Sequence, residues 1–230
     1  QATKGGGHGD YHIIVLAPAS VQEMASLTVK GFDLADQYSM PAMILADGTI
    51  GQMMEPVTLA FGEQKAYDKP WALTGTKMER KHHVVSSLYL QPEELERTNL
   101  VRYERYRTIE QNETLHESYR MEDAEICVVA YGIAARVTRN AVDAAREKGI
   151  RVGLIRPITL WPFPKKALAE AAKNIRSFLS VELSMGQMIE DIELSIRCAR
   201  PVTLVSRVGG MIPSPGQVLA AIEKAAGGDA

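Results

Sequence analysis

Between Ala124 and Ala226, short unbroken apolar runs alternate with longer amphipathic stretches, and few chain geometries satisfy that alternation. Ile126-Cys127-Val128-Val129-Ala130-Tyr131 has no polar interruption. A strand of that kind needs cover on both faces, which a parallel sheet with helices above and below supplies. Gly132 reads as a turn, and the spacing predicts a helix over Ala134–Lys148 closed by Gly149. Then follow strand Arg151–Ile155, loop Arg156–Pro164, helix Lys165–Asn174, strand Ser177–Val181 and a helix near Gly186–Ala199. Strand Val202–Val205, loop Ser206–Pro215 and helix Gly216–Ala226 complete the unit. Four strands alternating with helices make an open parallel sheet of the α/β class.

The first part of the chain carries a smaller unit of the same kind. His12-Ile13-Ile14-Val15-Leu16 is a strand, and Ser20-Val21-Gln22-Glu23 has the form of a capping box that starts a helix running to about Tyr38. Pro41 precedes a second apolar run, Ala42–Ala46, and Asp47–Gln52 forms the turn at its end, so the whole is a βαβ unit. From Phe61 to about Asp123 the pattern lapses. Lys81-His82-His83-Val84-Val85 reads as a short edge strand, and the charged stretch Pro92–Tyr119 as one long, largely exposed helix between two domains. The charge run is read as a solvated face.

Lys4-Gly5-Gly6-Gly7-His8-Gly9-Asp10-Tyr11 leads into the first strand. A dinucleotide fingerprint has its glycines after a strand and before a helix. Here they come first, so they form a loop that allows close approach, with His8 and Asp10 as its ionisable side chains after Lys4. The chain starts at Gln1, and it reads as a piece of a larger polypeptide.

At 230 residues a core of ordinary size is available, and the net charge of -2, with both signs interspersed, leaves no basic stripe for nucleic acid. No apolar run approaches the roughly 20 residues that cross a bilayer. Cys127 and Cys198 are the only cysteines. Cys127 sits in a strand pattern as a small buried hydrophobe, and the pair suits a reducing cytoplasm. Two cysteines do not make up the four that usually hold an iron–sulfur cluster.

The carboxyl ends of the strands are where such sheets bind ligands. That rule nominates Asp47–Gln52, Tyr131–Ala135, Arg156–Thr159, Glu182–Gln187 and Ser206–Gly210. Gly132 and Gly209-Gly210 either present amides to an anion or serve as turns of positive φ. Glu182 either works as a general acid or base, or caps amides and pairs across an interface. The histidines His8, His12, His82, His83 and His116 show no spacing of metal ligands. No serine stands in a G-x-S-x-G elbow.

The run from Gly5 through Met24 resembles the alpha subunit of 2-oxoacid:ferredoxin oxidoreductases, most closely the 2-oxoisovalerate (3-methyl-2-oxobutanoate) type. Further matches are Ala46-Asp47-Gly48 with Gly51-Gln52-Met53, Lys69-Pro70-Trp71-Ala72-Leu73, Val129-Ala130-Tyr131-Gly132, Arg156-Pro157 with Pro162-Phe163-Pro164, and Val181-Glu182 with Gly186-Gln187. The resemblance implies a parallel-sheet remnant of a thiamine pyrimidine-binding domain over residues 1–61. A linker with a long helix over 62–123 and a transketolase C-terminal-like α/β domain over 124–230 would follow. It also implies oxidative decarboxylation of a branched-chain 2-oxoacid to its acyl-CoA, with thiamine diphosphate and Mg²⁺ shared with a beta subunit that binds the pyrophosphate. Coenzyme A and ferredoxin would be further partners, the iron–sulfur cluster would lie on other subunits, and the chain would be a cytoplasmic homo-oligomer.

By the same resemblance His8 and Asp10 line the pocket, Gly7 and Gly9 leave room for the cofactor, and Asp47, Gly51, Gln52, Glu182, Gly186 and Gln187 face other subunits. The family's Y-P-I-T-P segment and its ring-activating glutamate match nothing in the chain, which implies that the chain alone is inactive. Two other readings stand beside this one: the beta-type E1 subunit of an NAD-linked 2-oxoacid dehydrogenase complex, and a non-catalytic assembly module.

Overall fold

The computed structural model describes residues 2–6, 9–60, 62 and 66–227. The larger sheet, ordered β3-β5-β4-β7-β8, consists of β3 (His116–Tyr119), β4 (Ile126–Val129), β5 (Val152–Pro157), β7 (Ser177–Glu182) and β8 (Val202–Ser206). The last four are mutually parallel, as the apolar runs require, and β3 adds an antiparallel edge. On one face lie α4 (Gly132–Glu147) and α7 (Pro215–Gly227), packing Ala141, Val142, Ala145, Val218 and Ile222 onto Val128 and Leu179. On the other lie α5 (Lys165–Ala171) and α6 (Met188–Ser195), which set Leu168, Met188 and Ile192 against Cys127, Val129 and Phe178. Cys127 is fully buried, and burial pushes its thiol up to about 12.

The smaller sheet is ordered β2-β1-β6. Its strands β1 (Ile14–Leu16) and β2 (Ala42–Ile44) are parallel and joined by α1 (Val21–Tyr38), as the βαβ pattern predicts. The third strand comes from far along the chain. β6 (Thr159–Trp161) pairs antiparallel with β1, Val15 opposite Trp161 and Leu16 opposite Thr159. The segment predicted as loop Arg156–Pro164 is therefore largely strand: β5 runs on to Pro157, and β6 crosses to the other sheet. Ile14, Val15, Leu16, Leu34, Leu160 and Trp161 form the core there.

Three further expectations are corrected. The predicted helix Pro92–Tyr119 ends at Asn112 as α3 (Pro92–Asn112), and His116–Tyr119 is the edge strand β3, because its main chain is held by Leu154–Pro157 of β5. As expected, α3 is largely exposed, and its two buried residues, Tyr106 and Ile109, pack against the smaller sheet. Lys81–Val85 joins neither sheet. The Asp47–Gln52 turn contains a short helix, α2 (Gly48–Gln52).

Tight passage of the chain over β5 leaves one testable mark. A Cβ on Gly153 would sit 2.6 Å from the Arg120 carbonyl oxygen and 2.5 Å from Met121 Sδ. Gly153→Ala is expected to lower the unfolding free energy by about 1–3 kcal/mol through overpacking. Urea titration followed by circular dichroism checks it, and an unchanged midpoint would refute the close approach.

Candidate functional site

The chain leaves β4 towards β5 on one side and returns as β7 on the other. The switch point of the sheet therefore lies between the carboxyl ends of β4 and β7, where doubly wound folds bind ligands. A cavity of about 210 Å³ opens there, lined by Tyr131, Gly132, Glu182 and Leu183. Leu45, Ala46 and Asp47 of the smaller unit form its other wall. The sequence nominated Asp47, Tyr131 and Glu182 separately, and the fold brings all three to one crevice.

Asp47 serves two helices with one carboxylate. Its Oδ1 accepts from Ile50 N at 2.9 Å and caps α2, while its Oδ2 accepts from Ile133 N at 2.9 Å at the start of α4. Both bonds set a negative charge at the positive end of a helix. Gly132 makes this possible: its φ is +59°, and a Cβ there would stand 2.8 Å from Asp47 Oδ2. Of the two readings of Gly132, the turn of positive φ is the one seen, and the amide beyond it is taken by Asp47. Gly209 and Gly210 also have positive φ. Burial raises the pKa of the Tyr131 phenol, and the charges of Glu182 and Asp47 add to that.

Glu182 ends β7 almost wholly buried. Its carboxylate accepts from Ser180 Oγ, Ser184 Oγ and the amides of Gln187, Met188 and Ile189, at 2.7–3.0 Å. Burial alone would raise its pKa, but the amides of Gln187 and Met188 and the two hydroxyls outweigh that and hold it below the ordinary 4.5. A carboxylate so bound stays ionised and shapes the loop before α6. Gly186 belongs to that loop with φ +99°. Leu183, Met185 and Gln187 are its exposed residues. Gly51 and Gln52, on α2, are exposed as well.

A larger cleft of about 580 Å³ lies where α1 meets the main sheet, and it is lined by charge. Arg156 of β5 is 6% exposed. Its two terminal nitrogens donate to both oxygens of Glu23 at 2.8 and 2.9 Å, and its Nε donates to Glu117 at 2.8 Å. Burial pulls the guanidinium pKa down, but the bonds and charges of Glu23 and Glu117 outweigh this and raise it. Arg139 also pairs with Glu117 and lies over the Tyr119 ring at 4.3 Å. Arg136 pairs with Glu55 at 2.8 Å. The capping box accounts for half of what Glu23 does: Ser20 Oγ accepts from Glu23 N at 3.1 Å, and the Glu23 carboxylate takes Ala19 N rather than Ser20 N. Its partnership with Arg156, 133 residues away, has no local signal.

In the glycine loop, His8 and Gly7 lie outside the described residues. Asp10 and Gly9 are exposed with φ of 58° and 87°. Asp10 stands at the rim of a groove along α3. Sequence reasoning gave His12 no role, yet its ring stacks on Trp161 at 4.7 Å and 9° and meets Tyr106 edge-on. Burial lowers its pKa, with opposing influences from Glu110 and Lys165, so the ring is neutral at pH 7. Among the described residues no group of three or more His, Cys, Asp or Glu side chains stands together as metal ligands. No described helix is long and apolar enough to cross a membrane.

Comparison with known proteins places these features in a family. Residues 2–128 match the model described as "Pyruvate flavodoxin/ferredoxin oxidoreductase, thiamine diP-bdg", and residues 124–218 match "Pyruvate:ferredoxin oxidoreductase core domain II". The ketoisovalerate oxidoreductase subunit VorB of Methanothermobacter marburgensis is 49% identical over 230 residues, covering 99% of this chain and 64% of its own length. The 2-oxoglutarate synthase subunit KorA of Archaeoglobus fulgidus is 33% identical over 211 residues, 90% of this chain and 60% of its own. The chain thus spans a little under two thirds of the length of these relatives. In fold it is similar to the 2-oxoglutarate:ferredoxin oxidoreductase of Magnetococcus marinus, with TM-score 0.77 and 20% identity over 97% of this chain and 44% of that one. A split-gene transketolase chain shares the fold at TM-score 0.53 and 13% identity, over 94% of this chain and 57% of that one.

Two outcomes follow from the charged groups. Arg156→Met leaves two carboxylates facing each other without their cation and is expected to cost about 3–5 kcal/mol of stability. Adding Glu23→Gln and Glu117→Gln should recover much of that loss in a denaturation cycle, and failure to recover any would show that the three do not act together. The second outcome concerns Glu182. Its folded pKa lies below 4.5, so its contribution is complete above the unfolded pKa and is lost as pH falls through the folded value. Glu182→Gln should therefore be less stable than the parent chain by about 1–3 kcal/mol at neutral pH. The gap should narrow as pH falls below 4.5, and a gap independent of pH would contradict the ionised cap.

Proposed function

The chain belongs to the 2-oxoacid:ferredoxin oxidoreductase family, and on that premise we propose that it acts within the alpha subunit of an enzyme oxidising a branched-chain 2-oxoacid to its acyl-CoA. The observation that carries the reading is the 49% identity to a ketoisovalerate oxidoreductase subunit along 99% of the chain. Relatives named for 2-oxoglutarate stand at 30–33% identity. On this reading the electrons go to ferredoxin and the acyl group to coenzyme A.

The described residues do not fit the charged end of thiamine diphosphate. A diphosphate-bound Mg²⁺ takes oxygen ligands, and no acidic cluster of that kind stands among them. That end is assigned to a beta subunit, and iron–sulfur chemistry to other subunits, since a cluster usually takes four cysteines and this chain has two. The glycine loop before β1, with His8 and Asp10 and the neighbouring Gly7 and Gly9, is the part of this chain proposed to approach the reacting end. The subunit-facing surfaces proposed are α2, with Gly51 and Gln52, and the loop 183–187, which includes Gly186 and Gln187. Asp47 and Glu182 have their carboxylates bound within the chain, so they serve these surfaces by shaping them.

The test is reconstitution. The chain is supplied within its alpha subunit together with the partner subunits, and ferredoxin reduction dependent on coenzyme A is followed with three 2-oxoacids. The expected order of kcat/KM places 2-oxoisovalerate above pyruvate and 2-oxoglutarate, and a preference for 2-oxoglutarate would overturn the substrate. In parallel, calorimetry on the chain alone should show no saturable binding of thiamine diphosphate below millimolar concentration. Micromolar binding would return the whole cofactor site to this chain.

A further inference from the structure

The glycine loop stands at both ends on residues from the far half of the chain. Lys4, at its start, pairs with Asp191 of α6. His12, at its end, lies flat on Trp161 of β6 at 4.7 Å and 9°. Trp161 also pairs through its main chain with Val15, so one residue of β6 receives both the strand and the ring that precedes it. Tyr106 and Tyr103 of α3 meet the imidazole edge-on at 5.2 and 6.4 Å. Lys4, His12, Trp161 and Asp191 all border one cavity of about 260 Å³, where Lys165 of α5 pairs with Glu110 of α3 at 3.1 Å. Between its ends the loop folds on itself. Gly6 N donates to Tyr11 Oη at 2.8 Å, and Gly9 N donates to Gly6 O at 3.2 Å. The attitude of the loop is therefore set by what holds Lys4 and His12.

We propose that His12 is a positioning residue, its ring fixing the glycine loop on Trp161 so that Asp10 meets the reacting end at a set distance and angle. This rests on the reading above, which brings the loop to that end. The two holds are unequal. The Lys4 side chain is exposed, and an exposed ion pair holds weakly. The imidazole has an aromatic ring against its face and two against its edge, and such contacts add to simple burial. His12 Nδ1 is buried with no hydrogen-bond partner among the described residues, so the plane of the ring, and not that nitrogen, supplies the hold. Reacting groups tolerate little displacement: a shift of about 1 Å can cost about a hundredfold in rate. His12 acts only through the loop, and the Lys4–Asp191 pair is its second, weaker foot.

Two measurements test this. Hydrogen exchange of the Gly6 and Gly9 amides in the full chain reads the anchoring without turnover. Kinetics of the reconstituted enzyme read kcat and KM separately. His12→Ala is expected to speed exchange at both amides by about tenfold and to lower kcat by about tenfold, with KM within about threefold. His12→Phe keeps a flat ring and should return exchange and kcat to within about threefold of the parent. Lys4→Glu, at an exposed site that leaves the core untouched, should produce the same two changes at about threefold, and adding Asp191→Lys should reverse them. Exchange unchanged in His12→Ala and Lys4→Glu, a His12→Phe variant as impaired as His12→Ala, a charge swap that recovers nothing, or a loss carried by KM would each overturn the proposal. An unaltered enzyme without turnover would instead overturn the reading on which it rests.

Discussion

The bidentate grip of Arg156 on Glu23 is the contact on which the arrangement of the two sheets depends. A guanidinium this deeply buried is tolerable only if its charge is met and its donors are used, and two carboxylates from different parts of the chain do both. Glu23 comes from the first turn of α1, Glu117 from the edge strand opposite Arg156, and Arg156 from β5. Because a fork-to-fork pair is planar and directional, it fixes angle as well as distance. It sets how the first helix of the smaller unit meets the larger sheet.

A third carboxylate, Asp47, completes the arrangement elsewhere between the two sheets. Asp47 enters the crevice between β4 and β7, the place where an open α/β sheet would ordinarily receive an anion. The carboxylate of the chain's own loop holds that position, and with Gly132 beneath it there is no room for a Cβ. The crevice therefore works as a joint between units, and Glu182 on the next strand shapes the loop beside it. Functional surface is left on the loops that these two hydrogen-bonded carboxylates hold in place.

The alternation of apolar runs was sufficient to read β4, α4, β5, β7, β8 and α7, because each is long or apolar enough to be self-declaring and several end in a turn glycine. The elements that escaped were those whose stability is borrowed. Thr159-Leu160-Trp161 is three residues long between prolines, and only its distant partner β1 makes it a strand. His116–Tyr119 is polar and lies on a sheet edge inside a charged stretch, where nothing local separates it from the preceding helix. α2 holds two glycines in five residues and owes its existence to the Asp47 cap. In the site, Asp47 and Glu182 were legible as residues at strand ends, while their hydrogen bonds were not. The Glu23–Arg156 pair was hidden because a helix-start motif explained Glu23 without it, and His12 because stacking on Trp161 depends on a strand the sequence did not reveal.

The crossing of β6 into the smaller sheet has a consequence for how the molecule is made. β1 leaves the ribosome well before one of its two neighbours, which follows about 145 residues later. Closing so long a loop is entropically slow compared with forming a local hairpin or a βαβ turn. Until Trp161 has been synthesised, one edge of β1 and the apolar ring face of His12 stand open to other chains. During that interval the nascent protein is exposed to aggregation, and the larger sheet, whose last strands come later still, takes shape while the smaller one is receiving its final strand.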